Sequence, residues 1–305
     1  MAYDQKLPWA LVLSGGGAKG LAHVGVLKVL EAMAVPPPAL IVGTSMGAIV
    51  GGLYACGYRA AELEELALRF DIRDYLDSKV FRMEGPLGKL MQTGQIIGRL
   101  ATKPGIDSGK AIFSYLEKLT EGRGVEETRI PFRCNAVDLV SGREIVFFRG
   151  SLALALRASM AFPAFFDPVY MDDMVLVDGG LVNNLAISVA RRRGFTHILA
   201  VDVGMFTLSQ ATKLQTGPQI LYRCLEVVGH HIYRGDMDRA SLTLQPRDDT
   251  SPFAFARAAH LIRLGEETAL AQRELLERFF TPGWLKRLTL QRQVQRVGKT
   301  VPAGE

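Results

Sequence analysis

The sequence predicts an α/β fold of three layers, with helices on both faces of a mostly parallel central sheet. Two observations predict it. Short apolar runs of strand length alternate with longer stretches of helical period along most of the chain. Glycines also stop helical stretches where a strand must begin, as Gly194 does between a helix and the apolar run after it. At 305 residues, with 48% hydrophobic and 22% charged side chains, the chain can bury a large core and is not a disordered one.

In chain order, Trp9–Leu13 is the first predicted strand, an apolar run of the kind buried on both faces. A glycine-rich turn and a helix over Leu21–Met33 follow, and Pro36, Pro37 and Pro38 end that helix before a strand at Leu40–Val42. Helices are expected over Met46–Ala55 and Ala60–Phe70. The segment 71–107, broken by Gly85, Pro86, Gly94 and Gly105, reads either as a cap over a site or as a surface excursion. A helix at Gly109–Leu119 precedes strands at Phe132–Val137 and Ile145–Phe148. Then come a helix at Leu152–Ser159, a strand at Val175–Val177, a helix at Ala186–Arg193, and strands at Ile198–Val203 and Leu242–Leu244. One long helix across Pro252–Phe280 closes a single domain of residues 1–290, and 291–305 is expected to be a basic, flexible tail.

Charge and cysteine usage exclude several classes. The net charge is +5, and Lys286, Arg287, Arg292, Arg296 and Lys299 near the end have no acidic residue among them. That cluster reads as a solvated terminus or as a contact for an anionic membrane surface; no nucleic-acid partner is expected. Cys56, Cys134 and Cys224 are odd in number and far apart, which supports neither a disulfide framework nor a zinc site. From Ala32 to Tyr58 no residue is charged, but the three prolines, Gly43 and Ser45 break the run, so it is not a membrane span. Asp4, Lys6 and Pro8 do not resemble a secretory leader, and a cytoplasmic protein, peripheral to a membrane at most, is expected. No acidic loop has metal spacing, so no cofactor is expected. Oligomeric state is not legible.

Three loops carry the chemistry. Gly15, Gly17 and Gly20 in "SGGGAKG" satisfy the dinucleotide G-x-G-x-x-G pattern between a strand and a helix. A dinucleotide fold needs an acid at the end of the next strand to bind the ribose, and none stands there. Instead that strand ends in G-x-S-x-G: Gly43, Thr44, Ser45, Met46, Gly47. A nucleophilic serine needs such a tight strand-to-helix turn, with small neighbours and a positive helix end beneath it. Gly47, Gly51 and Ala55, four apart, let another element approach that helix closely. A serine also needs a base. None of His23, His197, His230, His231 and His260 falls in a loop suited to the task, whereas "MVLVDGG" ends an apolar strand in Asp178, Gly179 and Gly180. An Asp-Gly turn would account for that motif alone. Three such loops after three strands would share the ligand-binding edge of an open parallel sheet.

With these motifs in place, the sequence resembles the patatin-like phospholipases, and its "RASMAFPAFFDPV" before "LVDGGLVNN" is similar to their bacterial branch. The resemblance runs from Leu11 to about Gly204. It implies a Ser–Asp dyad: Ser45 attacks an acyl ester, Asp178 takes and returns the proton, and an acyl–Ser45 intermediate is hydrolysed. It implies an oxyanion hole in the loop of Gly15, Gly16, Gly17, Ala18, Lys19 and Gly20, with the amides of Gly16, Gly17 and Ala18 as donors. Lys19 adds charge there, meets a lipid phosphate, or points to solvent. Met160–Phe166 lines an acyl groove or sits in the core below the Pro163 turn. The rival readings are a Ser–Asp–His triad using His197, a nicotinamide-dependent oxidoreductase, and a catalytically silent lipid-binding regulator.

Overall fold

The computed structural model describes residues 3–4, 7–77, 98, 102–204, 220, 223–225, 227–229, 239–290 and 292. In chain order its strands are β1 (Ala10–Leu13), β2 (Leu40–Gly43), β3 (Gly105–Asp107), β4 (Phe132–Asp138), β5 (Glu144–Phe147), β6 (Ala164–Phe166), β7 (Val169–Met171), β8 (Met174–Asp178), β9 (Ile198–Val201) and β10 (Leu242–Leu244). The helices are α1 (Ala22–Ala32), α2 (Met46–Cys56), α3 (Ala60–Arg69), α4 (Lys110–Thr120), α5 (Leu152–Ser159), α6 (Ile187–Arg192), α7 (Ala258–Ala271) and α8 (Arg273–Phe280).

The main sheet runs β10-β9-β1-β2-β4-β8-β7, with β5 also on β4. Strands β10, β9, β1, β2 and β4 are parallel, as the alternating pattern predicts. Alternate residues of each strand bury into opposite layers. Leu11, Leu13, Ile41, Leu199 and Val201 join the larger core with α1, α2, α5 and α7. Ala10, Val12, Leu40, Val42, Ile198 and Ala200 meet Leu185, Ile187, Val189 and Ala190 around α6 on the other face. Helix α1 packs closely on α7. There Gly25 and Gly265 let backbones touch: a Cβ on Gly25 would stand 2.6 Å from the Glu266 nitrogen, and one on Gly265 would collide with the Ala22 carbonyl.

Two expectations need correction, and a third feature is an addition to them. First, β8 is antiparallel to β4, so Asp178 does not reach the site as the end of a parallel strand. Strand β4 is longer than β2. Its residues 134–137 pair with β5 along one edge, and on the other β2 covers 132–134 before β8 takes over at 136–138. Strand β8 therefore descends toward the end of β2, and Asp178, opposite Ala136, stops beside Ser45. Second, the long helix is three pieces: a 3-10 turn at Phe255–Arg257, α7 and α8, with Gln272 out of helical geometry between the last two. Third, β3 and β6 form a small separate sheet, too short to show a period. The buried Arg157 holds it, donating to the carbonyls of Ser108 at 3.0 Å, Gly109 at 3.3 Å and Asp167 at 2.7 Å.

Of the cap segment 71–107, a 3-10 turn at Ile72–Tyr75 and β3 are described, and 78–97 lies outside the described residues. The tail 291–305 also lies outside them, apart from Arg292. Residues 284–290 are helical, so Lys286 and Arg287 do not belong to a frayed end, and Arg287 reaches Asp4 at 3.5 Å. No helix among the described residues is long and apolar enough to cross a membrane.

Candidate active site

Strand β2 delivers the elbow. Gly43 ends the strand, Thr44 and Ser45 make the turn, and Met46 starts α2. Ser45 sits at φ 53°, ψ −120°, a strained conformation for a residue with a side chain, costing about 1–3 kcal/mol. The surroundings enforce it. The Ser45 N–H donates to the Ser159 hydroxyl at 2.9 Å and the Thr44 N–H to the Leu13 carbonyl at 3.1 Å. The Thr44 hydroxyl donates to Asn135 Oδ1 at 2.8 Å. A Cβ on Gly43 would stand 2.5 Å from the Ala48 Cα, and one on Gly47 would stand 2.5 Å from the Ser14 carbonyl oxygen. Only glycine fits either position. Gly51 likewise brings α2 onto Ile41 and Leu13 of the sheet.

Asp178 is 4% exposed. Its Oδ1 accepts from the Gly180 N–H at 2.8 Å, and the Ser45 hydroxyl lies beside its carboxylate. Burial pushes its pKa from 3.8 up to about 6, against the pull of the Ser45 hydroxyl and the Gly180 N–H. Gly179 lies against Asn135, where a Cβ would be 2.6 Å from side-chain and backbone atoms. Behind the elbow, Asn135 and Asn183 both donate to Glu144 Oε1, at 3.0 and 2.7 Å.

The glycine loop is pinned by a residue the sequence does not flag, Asn184. Its carbonyl accepts from the Gly15 N–H at 3.2 Å and its side-chain amide donates to the Gly15 carbonyl at 3.2 Å. A Cβ on Gly15 would stand 3.1 Å from the Ser45 Cβ, so the loop runs directly over the serine. The expected trio of amide donors is corrected at Ala18, whose N–H donates outward to the Pro252 carbonyl at 2.7 Å. With Gly15 also engaged, Gly16 and Gly17 are left. Their N–H groups make no hydrogen bond among the described residues, and both line the cavity in front of Ser45. Gly17 holds φ 57°, and a Cβ there would press on the Pro252 carbonyl. Gly20 faces Met46, where a Cβ would stand 2.6 Å from the methionine Cβ, so its part is packing. Lys19 lines the cavity.

The cavity measures about 190 Å³ and has Ser45 and Asp178 in its wall. Met160, Phe162, Phe165 and Phe166 line it, while Ala161 and Phe166 are buried in the core, so the segment serves both. Phe165 stacks on Phe253 at 5.3 Å beside it.

None of the described histidines, His23, His197 and His260, lines the cavity. His197 precedes β9 and bonds the Phe279 carbonyl at 2.8 Å, while its own carbonyl accepts from the Ala10 N–H where β1 begins. That is the far edge of the sheet, about 13 Å from the ends of β1 and β2 at four residues of strand rise. Burial lowers its pKa to about 4. His23 is buried behind the glycine loop on the Ser14 carbonyl at 2.9 Å, and burial likewise takes it to about 4. His260 bonds Asp248 at 2.5 Å. His230 and His231 lie outside the described residues. Ser159, Asn135, Asn183, Asn184 and Pro252 complete the site. Asn183 and Asn184 stood next to the aspartate motif in "DGGLVNN" and Ser159 in "RASMAFPAFFDPV"; Asn135 and Pro252 carry no sequence signal.

A family model described as patatin-like phospholipase matches residues 11–191. Over 195 residues the chain is 34% identical to the lysophospholipase NTE1 of Candida albicans, covering 64% of this chain and 13% of that protein. Over 197 residues it is 32% identical to patatin-like phospholipase domain-containing protein 6 of Homo sapiens, again 64% of this chain and 13% of that one. The chain therefore matches a small part of the length of these curated relatives. The crystal structure of VipD from Legionella pneumophila shares the fold, with a TM-score of 0.51 over 88% of this chain and 67% of that chain at 14% identity.

Proposed function

The chain belongs to the patatin-like phospholipase family, and from that premise we propose that it is a serine lipid acyl hydrolase acting through Ser45 and Asp178. The observation that carries the reading is the Ser45 hydroxyl beside a buried carboxylate, at the wall of an apolar cavity also lined by Gly16 and Gly17, whose N–H groups make no hydrogen bond among the described residues. The Ser45 Oγ attacks the ester carbonyl carbon while Asp178 takes its proton. Charge gathers on the carbonyl oxygen, where the N–H groups of Gly16 and Gly17 receive it; one such donor is worth roughly 3 kcal/mol. Collapse breaks the ester C–O bond, and Asp178 gives its proton to the leaving alcohol. Water then attacks the acyl–Ser45 ester, passing a proton to Asp178, which returns it to Ser45 as the fatty acid leaves. A carboxylate with pKa near 6 suits both steps, being ionised at neutral pH yet basic enough to accept a proton.

The aromatic wall of Phe162, Phe165 and Phe166 suits an acyl chain, and Lys19 at the rim suits the phosphate of a phospholipid or lysophospholipid. Contact with a membrane surface follows from such a substrate. We place the whole activity in one domain ending near residue 290. The test is fatty-acid release from lysophosphatidylcholine and phosphatidylcholine by the wild type and by Ser45→Ala. Release by the wild type alone supports the reading; equal release by both proteins overturns it.

A further inference from the structure

Behind the catalytic cavity lies a second, smaller one of about 80 Å³, walled by side chains of α1, α2, α3 and α4. Met46, Ile49, Phe70, Ile112 and Phe255 line both, so only this layer of side chains separates them. We propose that this inner cavity receives the distal end of the substrate's acyl chain and sets the acyl length the enzyme prefers.

The helix that presents the nucleophile also provides the track. Met46, Ile49, Val50 and Leu53 border the inner cavity at the i, i+3, i+4, i+7 spacing of one helix face, a run of about 10 Å leading away from Ser45. Met46, the first residue of the track, is half-buried, and its unbranched thioether side chain can swing without strain. Ile49, also half-buried, is the second gate residue. Beyond them the wall is apolar apart from the Tyr115 ring edge, with Ala67 on α3 and Leu119 on α4. A hydrocarbon gains there by leaving water, and a polar ligand would leave its groups unpaired. The wall it shares with the Ser45 cavity selects the acyl chain as the occupant.

The proposal rests on the acyl-hydrolase reading, so its test has one arm that does not need turnover. In the first arm, p-nitrophenyl butanoate, octanoate, dodecanoate and hexadecanoate are compared in the wild type, Ala67→Phe and Leu119→Phe. Each methylene that enters the inner cavity is expected to raise kcat/KM by up to about fourfold until the space is filled. Either phenylalanine fills it, so the gain on the longer esters is lost while butanoate hydrolysis stays at the wild-type rate. In the second arm, the same fatty acids are titrated against Ser45→Ala with and without Ala67→Phe, and affinity is expected to rise with length only where Ala67 is intact. Circular dichroism and Tm identify a variant that has not folded, and the other then decides. Folded variants with the wild-type length profile in both arms overturn the proposal. No butanoate hydrolysis by the wild type, with length-dependent binding preserved, would instead sink the hydrolase reading and leave the acyl pocket supported.

Discussion

Replacing Asp178 by asparagine is expected to stabilise the protein at neutral pH while removing its activity. The carboxyl ionises at 3.8 when exposed and at about 6 in the folded protein, because burial disfavours the charge. Between those values the folded chain keeps a proton that the unfolded chain has released, so stability falls as pH rises through this window. Above about pH 6 the full cost is present: about two pKa units, or roughly 3 kcal/mol. Asparagine has the same shape, can accept the Gly180 N–H, and carries no charge to desolvate. The assay is urea unfolding of both proteins at several pH values. The advantage of Asp178→Asn is expected to be near zero below about pH 4, to grow up to about pH 6 and to hold near 3 kcal/mol above it, about 5 °C in Tm. A difference that does not vary with pH, or a variant less stable at pH 7, would refute the reasoning. The site would then not hold an ionised carboxylate against its own burial.

Three further outcomes follow from the same geometry. Because Asp178 must be ionised to take the Ser45 proton, kcat/KM on a soluble ester is expected to rise with pH through about 6 and then level off, and initial rates across that range check it. Gly17→Ala puts a Cβ on the Pro252 carbonyl at φ 57°, so the loop must shift; kcat should fall about 100-fold with KM nearly unchanged, read by steady-state kinetics. His197→Ala should keep kcat/KM within about twofold yet lose roughly 1–3 kcal/mol of stability, since the ring is buried, stacked on Phe279 at 3.8 Å and bonded to its carbonyl; paired activity and unfolding measurements separate the two effects.

Much of this fold was legible because its parallel strands are buried on both faces. Such strands read as unbroken apolar runs, and β1, β2 and β9 were each placed to within two residues at either end. Ser45 was legible for a similar reason: the elbow tolerates only glycine at 43 and 47, so the constraint is written into the chain. What the sequence did not carry was strand direction. An apolar run ending in Asp178 looks the same whether β8 runs with β4 or against it, and the aspartate reaches the site only because β4 outruns β2. The oxyanion donors were blurred in the same way. Gly16, Gly17 and Ala18 are equivalent in sequence, and it takes Pro252, more than 200 positions away in the chain, to occupy the Ala18 amide. Asn184, through its carbonyl and side-chain amide, and Ser159, through its hydroxyl, act across large separations, and composition leaves no trace of that.

The most direct measurement is active-site labelling with a fluorophosphonate, followed by peptide mass spectrometry to locate the adduct. One adduct per chain is expected, on Ser45, absent in Ser45→Ala and much slower in Asp178→Asn, with His197→Ala labelling at the wild-type rate. No adduct where a control serine lipase labels fully, or a rate unchanged in Asp178→Asn, would contradict the Ser45–Asp178 dyad.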